Sequence, residues 1–394
     1  MNPEYSMNTN LLHSKRDIQG MTLQPETFPL FATAAFSQRN LSDVKRAYNE
    51  KQFTYVRTRN PNRKVLSEAI SLLEAGEDTF VSSSGMGAIF STIFALTDAG
   101  SHVLCNRDIY GETYEIMTEI LPRFHVEVEM ISFADCAEVA SHMKPNTKIV
   151  YTEVASNPCI QLTDIPELAK LAHKNGAYLV VDNTFTSPIN IQPLAFGADI
   201  SINSLTKFLN GHSDALGGSA TGTAELIAKV TAVGKLSGVP ITPYDSWLIF
   251  RGLQTAALRI EKQTDNAVKL AAALKANPHV EAVCHPSLPD SPQNALSQKL
   301  FGNKGGTAML SFIVPEDSAK IDAFMEKLTL ARYAMTLGGL RTTLSHPCTS
   351  SHHALPDAER RALGITPGMF RVSVGLETAE DLISDFNNAL TVFD

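Results

Sequence analysis

YLVVDNTF, from Tyr178 to Phe185, is the stretch that decides the fold. Its first four residues are apolar, two of them β-branched, and run up to Asp182 with no polar alternation, which marks a strand buried on both faces. The segment before it reads as a helix. Thr163 or Asp164 supplies an N-cap, Pro166 sits in the first turn, LAKLAHKN carries the body and Gly176 supplies the stop. A helix running straight into a buried strand is part of a crossover unit, and ADISINS (Ala198–Ser204) reads as the next strand. Upstream, HVLCN (His102–Asn106), VEVEMIS (Val126–Ser132) and KIVYTEV (Lys148–Val154) read as strands in the same series. Strands alternating with helices imply an α/β unit with a mostly parallel sheet covered on both faces.

Further out, Val65, Ala69, Leu72 and Leu73 share one helical face, with Gly76 as a C-terminal stop. Residues 29–62 are aromatic and rich in Pro and Arg without a helical period, and residues 1 to about 25 are polar. Together they predict an irregular, extended arm that needs another surface to lie on. Beyond residue 255 come a long helix (LRIEKQTDNAVKLAAALKANP), the strand TAMLSFIV (Thr307–Val314), a helix from Ser318 to about Leu328 and the strand MFRVSVG (Met369–Gly375). A last helix carries Leu382, Ile383, Phe386 and Leu390, with Thr378 and Asp381 as a capping box. The expected division is an arm over 1–62, an α/β domain over 63–254 and a smaller α+β domain over 255–394.

The bulk numbers narrow the class. A chain of 394 residues with 44% hydrophobic and 19% charged residues is globular. A net charge of −8 implies no basic face, so nucleic acid is not an expected partner. Five cysteines, odd in number and without a CxxC pair, fit a reducing compartment. No apolar run is long enough to span a membrane and the N-terminus lacks an apolar signal core. A cytoplasmic protein without membrane partners is expected. His346, Cys348, His352 and His353 form a cluster whose spacing fits no established zinc pattern, so no metal is expected.

In open α/β sheets ligands bind beyond the carboxyl ends of the strands. The polar residues collected there are Asp182, Asn183 and Thr184; Ser204, Thr206 and Lys207; and Ser156 and Asn157. A desolvated lysine attacks carbonyls. A buried aspartate keeps a pyridine nitrogen protonated. SSSGMGA (Ser82–Ala88) puts Gly85 and a helix start at Met86–Gly87, whose free N–H groups suit a phosphate. Neither GxGxxG nor GxxxxGK[ST] occurs, so a dinucleotide or P-loop reading has no support. Taken singly, each feature has a plain alternative: a helix cap, a turn, a solvated lysine.

Their order is more specific. SSGM, DIYGET, TEVASNP, VVDNTF, SLTKFLNGHSDALGG, LGGLRTTLSHP and MFRVSVGLE, read in sequence from about Pro29 to the C-terminus, resemble the Cys/Met metabolism family of pyridoxal 5′-phosphate (PLP) enzymes. That family includes cystathionine γ-synthase, cystathionine lyases, methionine γ-lyase and O-acylhomoserine sulfhydrylases. The resemblance implies an aspartate-aminotransferase-like (fold type I) large domain, PLP as cofactor, a small amino-acid substrate and a homotetramer built as a dimer of dimers. It implies Lys207 as the Schiff-base lysine and proton shuttle, Asp182 as partner of the ring nitrogen, and Tyr110 as the stacking and proton-transfer tyrosine. Gly85, Met86, Ser204 and Thr206 match phosphate binders. Tyr55 and Arg57 match a pair that reaches the phosphate of a neighbouring subunit, and Asn157 matches a residue near the cofactor's phenolic oxygen. Arg371 matches the clamp on the substrate carboxylate, with Thr336 close to it where the family usually has Ser.

The activity implied is γ-elimination from methionine- or cystathionine-like amino acids, giving a 2-oxo acid, ammonia and a thiol. The alternatives are γ-replacement, as in a sulfhydrylase or γ-synthase, and loss of a non-sulfur group. Two positions depart from familiar members. Glu112 stands where methionine γ-lyases have cysteine; it would repel an anionic leaving group, bind an amine or thiol proton, or simply start a helix. Arg341 stands where cystathionine enzymes often have Glu; it would attract a carboxylate or pair with Glu112. LRTTLSHP reads as sulfhydrylase-like and FLNGHSDALGG as lyase-like.

Overall fold

A computed structural model describes residues 4–14, 24–350, 353 and 356–394. Seven strands form the main sheet: β1 (Asp78–Ser82), β2 (His102–Asn106), β3 (Glu127–Ile131), β4 (Thr147–Glu153), β5 (Tyr178–Asp182), β6 (Ile200–Ser204) and β7 (Gly218–Gly222). Their order is β1-β7-β6-β5-β4-β2-β3. The run from β3 to β6 is parallel, while β7 is antiparallel to both β6 and β1. β5 covers YLVVD and buries Leu179, Val180 and Val181 completely, because helices cover both faces of the sheet. The mostly parallel α/β reading therefore holds.

β7 was not read as a strand, and its composition explains why. GSATG has almost no apolar signal, yet all five residues are buried. A side chain at Gly218 would stand 2.1 Å from the Ser84 carbonyl oxygen, and one at Gly222 would stand 2.5 Å from that of Asp199. Close backbone approach, not hydrophobicity, selects this strand.

A second sheet lies in the C-terminal third: β8 (Ala282–Cys284), β9 (Met309–Ile313), β10 (Arg332–Tyr333), β11 (Thr343–Ser345) and β12 (Met369–Ser373), in the order β10-β11-β12-β9-β8. Helices Ser318–Lys327 and Ala379–Leu390 pack on it: the Phe324 ring lies 6.0 Å from Phe312 of β9 and 5.1 Å from Phe370 of β12, and the Phe386 ring lies 6.0 Å from Phe312. The helix Ala256–Ala276 packs against this sheet and against Ala379–Leu390.

Several local expectations need correction. Thr378 makes no side-chain cap bond, so no capping box forms and the last helix is held by the packing of Leu382, Phe386 and Leu390. Ala75, not Gly76, takes the left-handed stop after the helix Pro61–Glu74, at φ 55°. Gly76 is needed instead because a side chain there would meet Thr221 Cγ2 at 2.4 Å. The stretch 29–62 is not wholly irregular: Asn40 caps a helix over Leu41–Asn49, accepting the Asp43 N–H at 2.9 Å. Near the N-terminus, the helix Met7–Leu12 buries Leu11 in the main core, so this part of the arm is anchored on its own subunit.

Candidate active site

The carboxyl ends of β4, β5 and β6 meet around a polar pocket. At the end of β5, the Thr184 N–H donates to Asp182 Oδ1 at 2.8 Å and fixes that carboxyl. The Thr184 hydroxyl oxygen accepts the Ser204 N–H at 2.8 Å, which ties the ends of β5 and β6 together. The chain then turns tightly, with the Lys207 N–H bonded to the Ser204 carbonyl at 3.2 Å. Thr206 is locked by the Gly217 N–H, which donates to its hydroxyl oxygen at 3.1 Å.

Facing this turn is the start of the helix Gly85–Leu96. Ser84 caps it, accepting the Gly87 N–H at 3.0 Å. The N–H groups of Gly85 and Met86 lie in the first turn and have no intrahelical acceptor. A side chain at Gly85 would sit 3.0 Å from Ser204 Cβ, so glycine is what lets the helix start approach the β6 turn. Gly85 and Ser204 thus lie against each other, with Met86 next on the helix and Thr206 two residues on in the turn.

On the other side, the Tyr110 N–H donates to Glu153 Oε1 at 2.7 Å. Arg371, on β12, is buried and donates from Nη1 to Asn157 Oδ1 at 2.7 Å, just before a cis Asn157–Pro158 bond. Its guanidinium lies 5.7 Å from the centre of the Phe185 ring, and its Nε is buried with no partner. Gly338, at φ 74°, lays the 336–341 loop on the lysine turn: a side chain there would meet Phe208 N at 2.4 Å. Arg371 and this loop bring the second sheet to the pocket.

The electrostatics follow from burial. Burial pushes the Lys207 ammonium below its ordinary range; Arg371 adds to this and Glu112 opposes it. Burial raises Asp182 to about 6 and lowers Arg371 to about 10. Glu153 is raised well above the carboxylate range by burial and then by Asp182. Burial, and next the Glu112 carboxylate, raise the Tyr110 hydroxyl, which stays a neutral phenol. A lysine pushed toward its amine form is a better nucleophile and base.

The remaining expected residues fall around this group. Glu112 is exposed in the first turn of the helix Gly111–Glu115. Thr336 is half-buried, and its carbonyl accepts the Thr343 hydroxyl at 3.5 Å. Arg341 is exposed, and no Glu112–Arg341 ion pair forms among the described residues. Tyr55 and Arg57 are exposed; Arg57 lies 5.9 Å from the Tyr55 ring centre and donates to the Lys235 carbonyl at 3.1 Å. Within this chain neither is hydrogen-bonded to Ser204, Thr206 or Lys207.

Two buried carboxyls escaped the sequence reading. Glu153 ends β4 in register with Asp182. The apolar pattern extends this strand to Val154, and a shift of one residue moves a side chain to the other face. Glu74 accepts from Asn203 and Asn183 behind the sheet and is raised to about 7, chiefly by burial. It belongs to a helix whose apolar pattern hid it. His346 binds Thr349 and the Pro367 carbonyl through its two ring nitrogens, and Cys348 donates to the Thr366 carbonyl. His352 lies outside the described residues. A cavity of about 910 Å³ opens behind Asn157, but Lys207, Asp182 and Arg371 do not line it. Size alone does not point to the chemistry.

The pocket fits PLP. Asp182 is half-buried, and its carboxyl is in no ion pair among the described residues, as a partner for a ring nitrogen must be. The Gly85–Ser204 approach leaves free N–H groups for a phosphate, and the unpartnered Arg371 Nε offers a donor to a carboxylate.

Comparison with known proteins gives the same picture. The model of one family, described as Cys/Met metabolism PLP-dependent enzyme, matches residues 8–391. Cystathionine beta-lyase MetC of Bacillus subtilis (strain 168) is 39% identical over 387 residues, covering 98% of this chain and 96% of that protein. L-methionine gamma-lyase of Porphyromonas gingivalis is 37% identical, covering 92% of each chain. The crystal structure of cystathionine gamma synthase from Xanthomonas oryzae pv. oryzae superimposes with a TM-score of 0.92 at 31% identity, over 99% of this chain and 98% of that one.

Proposed function

The chain belongs to the Cys/Met metabolism family of PLP-dependent enzymes, and on that premise we propose that it is a C–S γ-lyase for methionine- or cystathionine-like amino acids. The observation that carries this reading is Lys207, half-buried with its ammonium pushed toward the amine, in a pocket that also holds the buried Arg371. PLP, when bound, supplies an aldehyde that condenses with amines and a ring that accepts electrons from the α-carbon. Lys207 would hold that aldehyde. Its free amine would remove and return protons at the substrate's α-, β- and γ-carbons. Asp182 would pair with the ring nitrogen, Gly85, Met86, Ser204 and Thr206 would hold the phosphate, and Asn157 would serve the phenolic oxygen. Tyr110 would support the ring and assist proton transfer. Arg371 clamps the substrate carboxylate with two parallel N–H donors, beside Thr336.

Lyase activity is preferred because the cited curated relatives are named as lyases. The likeness to a gamma synthase favours γ-replacement as the second reading. The test is 2-oxo acid release from methionine, cystathionine, homocysteine, cysteine and acylhomoserines by PLP-reconstituted enzyme. 2-Oxobutanoate with ammonia and a thiol is expected. Rapid homocysteine formation from an acylhomoserine and sulfide, without oxo acid, would assign replacement instead. Exposed Glu112 and Arg341 then discriminate between substrates by charge.

The same proposal includes a cytoplasmic homotetramer, a dimer of dimers. In it the part of the arm that carries Tyr55 and Arg57 lies against a neighbour, and these two reach that neighbour's phosphate, while the helix Met7–Leu12 stays on its own core. Residues 63–254 carry the cofactor and 255–394 form the smaller domain. No helix among the described residues is long and apolar enough to cross a membrane. Sedimentation of the holoenzyme at four chain masses is the expected outcome, and a monomer that keeps full activity would exclude the shared site.

A further inference from the structure

We propose that Glu153 is a positioning residue that fixes the Tyr110 backbone beside the cofactor pocket and acts as one electrostatic unit with Asp182. The inference rests on the PLP reading above and adds a residue to it. The geometry has three parts. Glu153 is the last residue of β4 and only 6% exposed. Its Oε1 accepts the Tyr110 N–H at 2.7 Å, and Tyr110 is the residue from which the helix Gly111–Glu115 departs, with no side-chain cap of its own. Its Cα is paired with that of Asp182 on the adjacent parallel strand, so both side chains leave the sheet on the same face.

Two carboxyls side by side in a buried place do not both ionise. Asp182 comes from β5, Asp108 from the loop after β2, Cys105 from β2, Tyr151 from β4 itself, Tyr110 from the loop it anchors, and Arg371 from β12. Burial keeps Cys105 and Tyr151 neutral, so Arg371 is the one cation in this set. It is already committed to Asn157 through Nη1. The proton rests on Glu153, the more deeply buried of the two carboxyls, and leaves Asp182, which the Thr184 N–H supports at 2.8 Å, as the anion available to a ring nitrogen. As a neutral acid, Glu153 still accepts the Tyr110 N–H through Oε1 and keeps one O–H to donate.

This assignment makes the amide a near-perfect stand-in for the acid. Three holoenzymes test it against wild type: Glu153→Gln, Glu153→Ala, and Glu153→Ala in a Tyr110→Phe background. Glu153→Gln is expected to keep kcat/KM within about threefold and to leave the pH profile unmoved, since the group it replaces carries no charge. Glu153→Ala is expected to lower kcat by about tenfold or more, with KM little changed, because the tyrosine hydroxyl loses its placement. In the Tyr110→Phe background the same change is expected to cost less than about twofold, the signature of an effect routed through that tyrosine.

Two results overturn the proposal: an acidic limb moved by about a unit or more in Glu153→Gln, which would mean an ionised Glu153, or an equal cost of Glu153→Ala with and without the Tyr110 hydroxyl. If Glu153→Ala does not fold, the Glu153→Gln profile still decides: unmoved supports the assignment and moved refutes it. Wild-type oxo acid release tests the PLP reading separately, so the two failures are told apart.

Discussion

The two ends of the main sheet hold the same kinds of charged side chain in opposite states. At the amino ends of β2, β3 and β4, Lys144 Nζ bridges Glu127 and Glu129, at 2.9 Å to each. His142 Nδ1 meets the second oxygen of Glu129. These groups are part-exposed, and every charge has a partner. At the carboxyl ends, Asp182, Glu153, Lys207 and Arg371 are buried or half-buried, and none is in an ion pair with another among the described residues. A buried unpaired charge is costly unless something arrives to pair it. The contrast teaches that the carboxyl end is built to be completed by a ligand that brings a phosphate, a ring nitrogen and a carboxylate.

If that is so, the largest loss comes from the group that holds the ligand covalently. Lys207→Ala is expected to lower 2-oxo acid release on the order of 10³-fold or more, by removing both the attachment and the proton shuttle. Turnover that persists near the wild-type rate would break the comparison at its centre. Arg371→Leu is expected to come next. Losing a buried charge that clamps a carboxylate costs about 2–5 kcal/mol, so kcat/KM should fall by about 10²-fold, mostly through KM. A variant that loses kcat alone would place Arg371 elsewhere in the chemistry.

The same contrast explains what was legible in the sequence. Asp182, Ser204, Thr206 and Lys207 follow directly from strands whose apolar runs announce them, and the rule of strand ends collects them. Gly85 and Met86 follow from a Ser-Gly turn before a helix. Glu153 was lost to a one-residue error in the end of β4, and Gly338 because only tertiary contact reveals why it must be glycine. Tyr55 and Arg57 were reached by resemblance alone, since nothing in their local pattern points at a pocket. β7 was invisible because close packing of backbones leaves no hydrophobic trace.

A pH experiment sharpens the comparison further. Asp182 has an ordinary value of 3.8 and is raised to about 6 by burial. Between those values the folded chain keeps a proton that the unfolded chain has released. The cofactor-free protein therefore loses stability as pH rises through that window, and the loss is complete above it. Asp182→Asn removes this term. At pH 7.5 the cofactor-free variant is expected to be more stable than wild type by about 2 kcal/mol, with little difference near pH 4. With PLP bound the order should reverse at pH 7.5, because the ring nitrogen pairs with the aspartate and not with the amide. Thermal melts of both proteins, with and without cofactor at the two pH values, check this. A variant destabilised at every pH would mean that Asp182 is already paired within the chain.

The smallest effect belongs to the opposite end. Lys144→Ala removes both of the ammonium's ion pairs, yet these are solvent-screened, and exposed pairs contribute little. Glu127 and Glu129 are free to hydrate once the lysine is gone, so no charge is stranded in the way that loss of a partner strands one in the pocket. The melting temperature is expected to move by less than about 3 °C, and by less still at high salt. The kcat/KM should not change, because the amino ends of the strands are separated from the pocket by the length of the sheet. The sensitive neighbour is His102, fully buried, whose Nε2 lies 3.6 Å from Glu129 Oε2. Released from Lys144, Glu129 is a stronger partner for that ring. Burial first and Lys144 second hold that ring below its ordinary value, so acidification costs the wild type stability; a smaller loss in the variant would show that even this well-paired end holds one group in reserve.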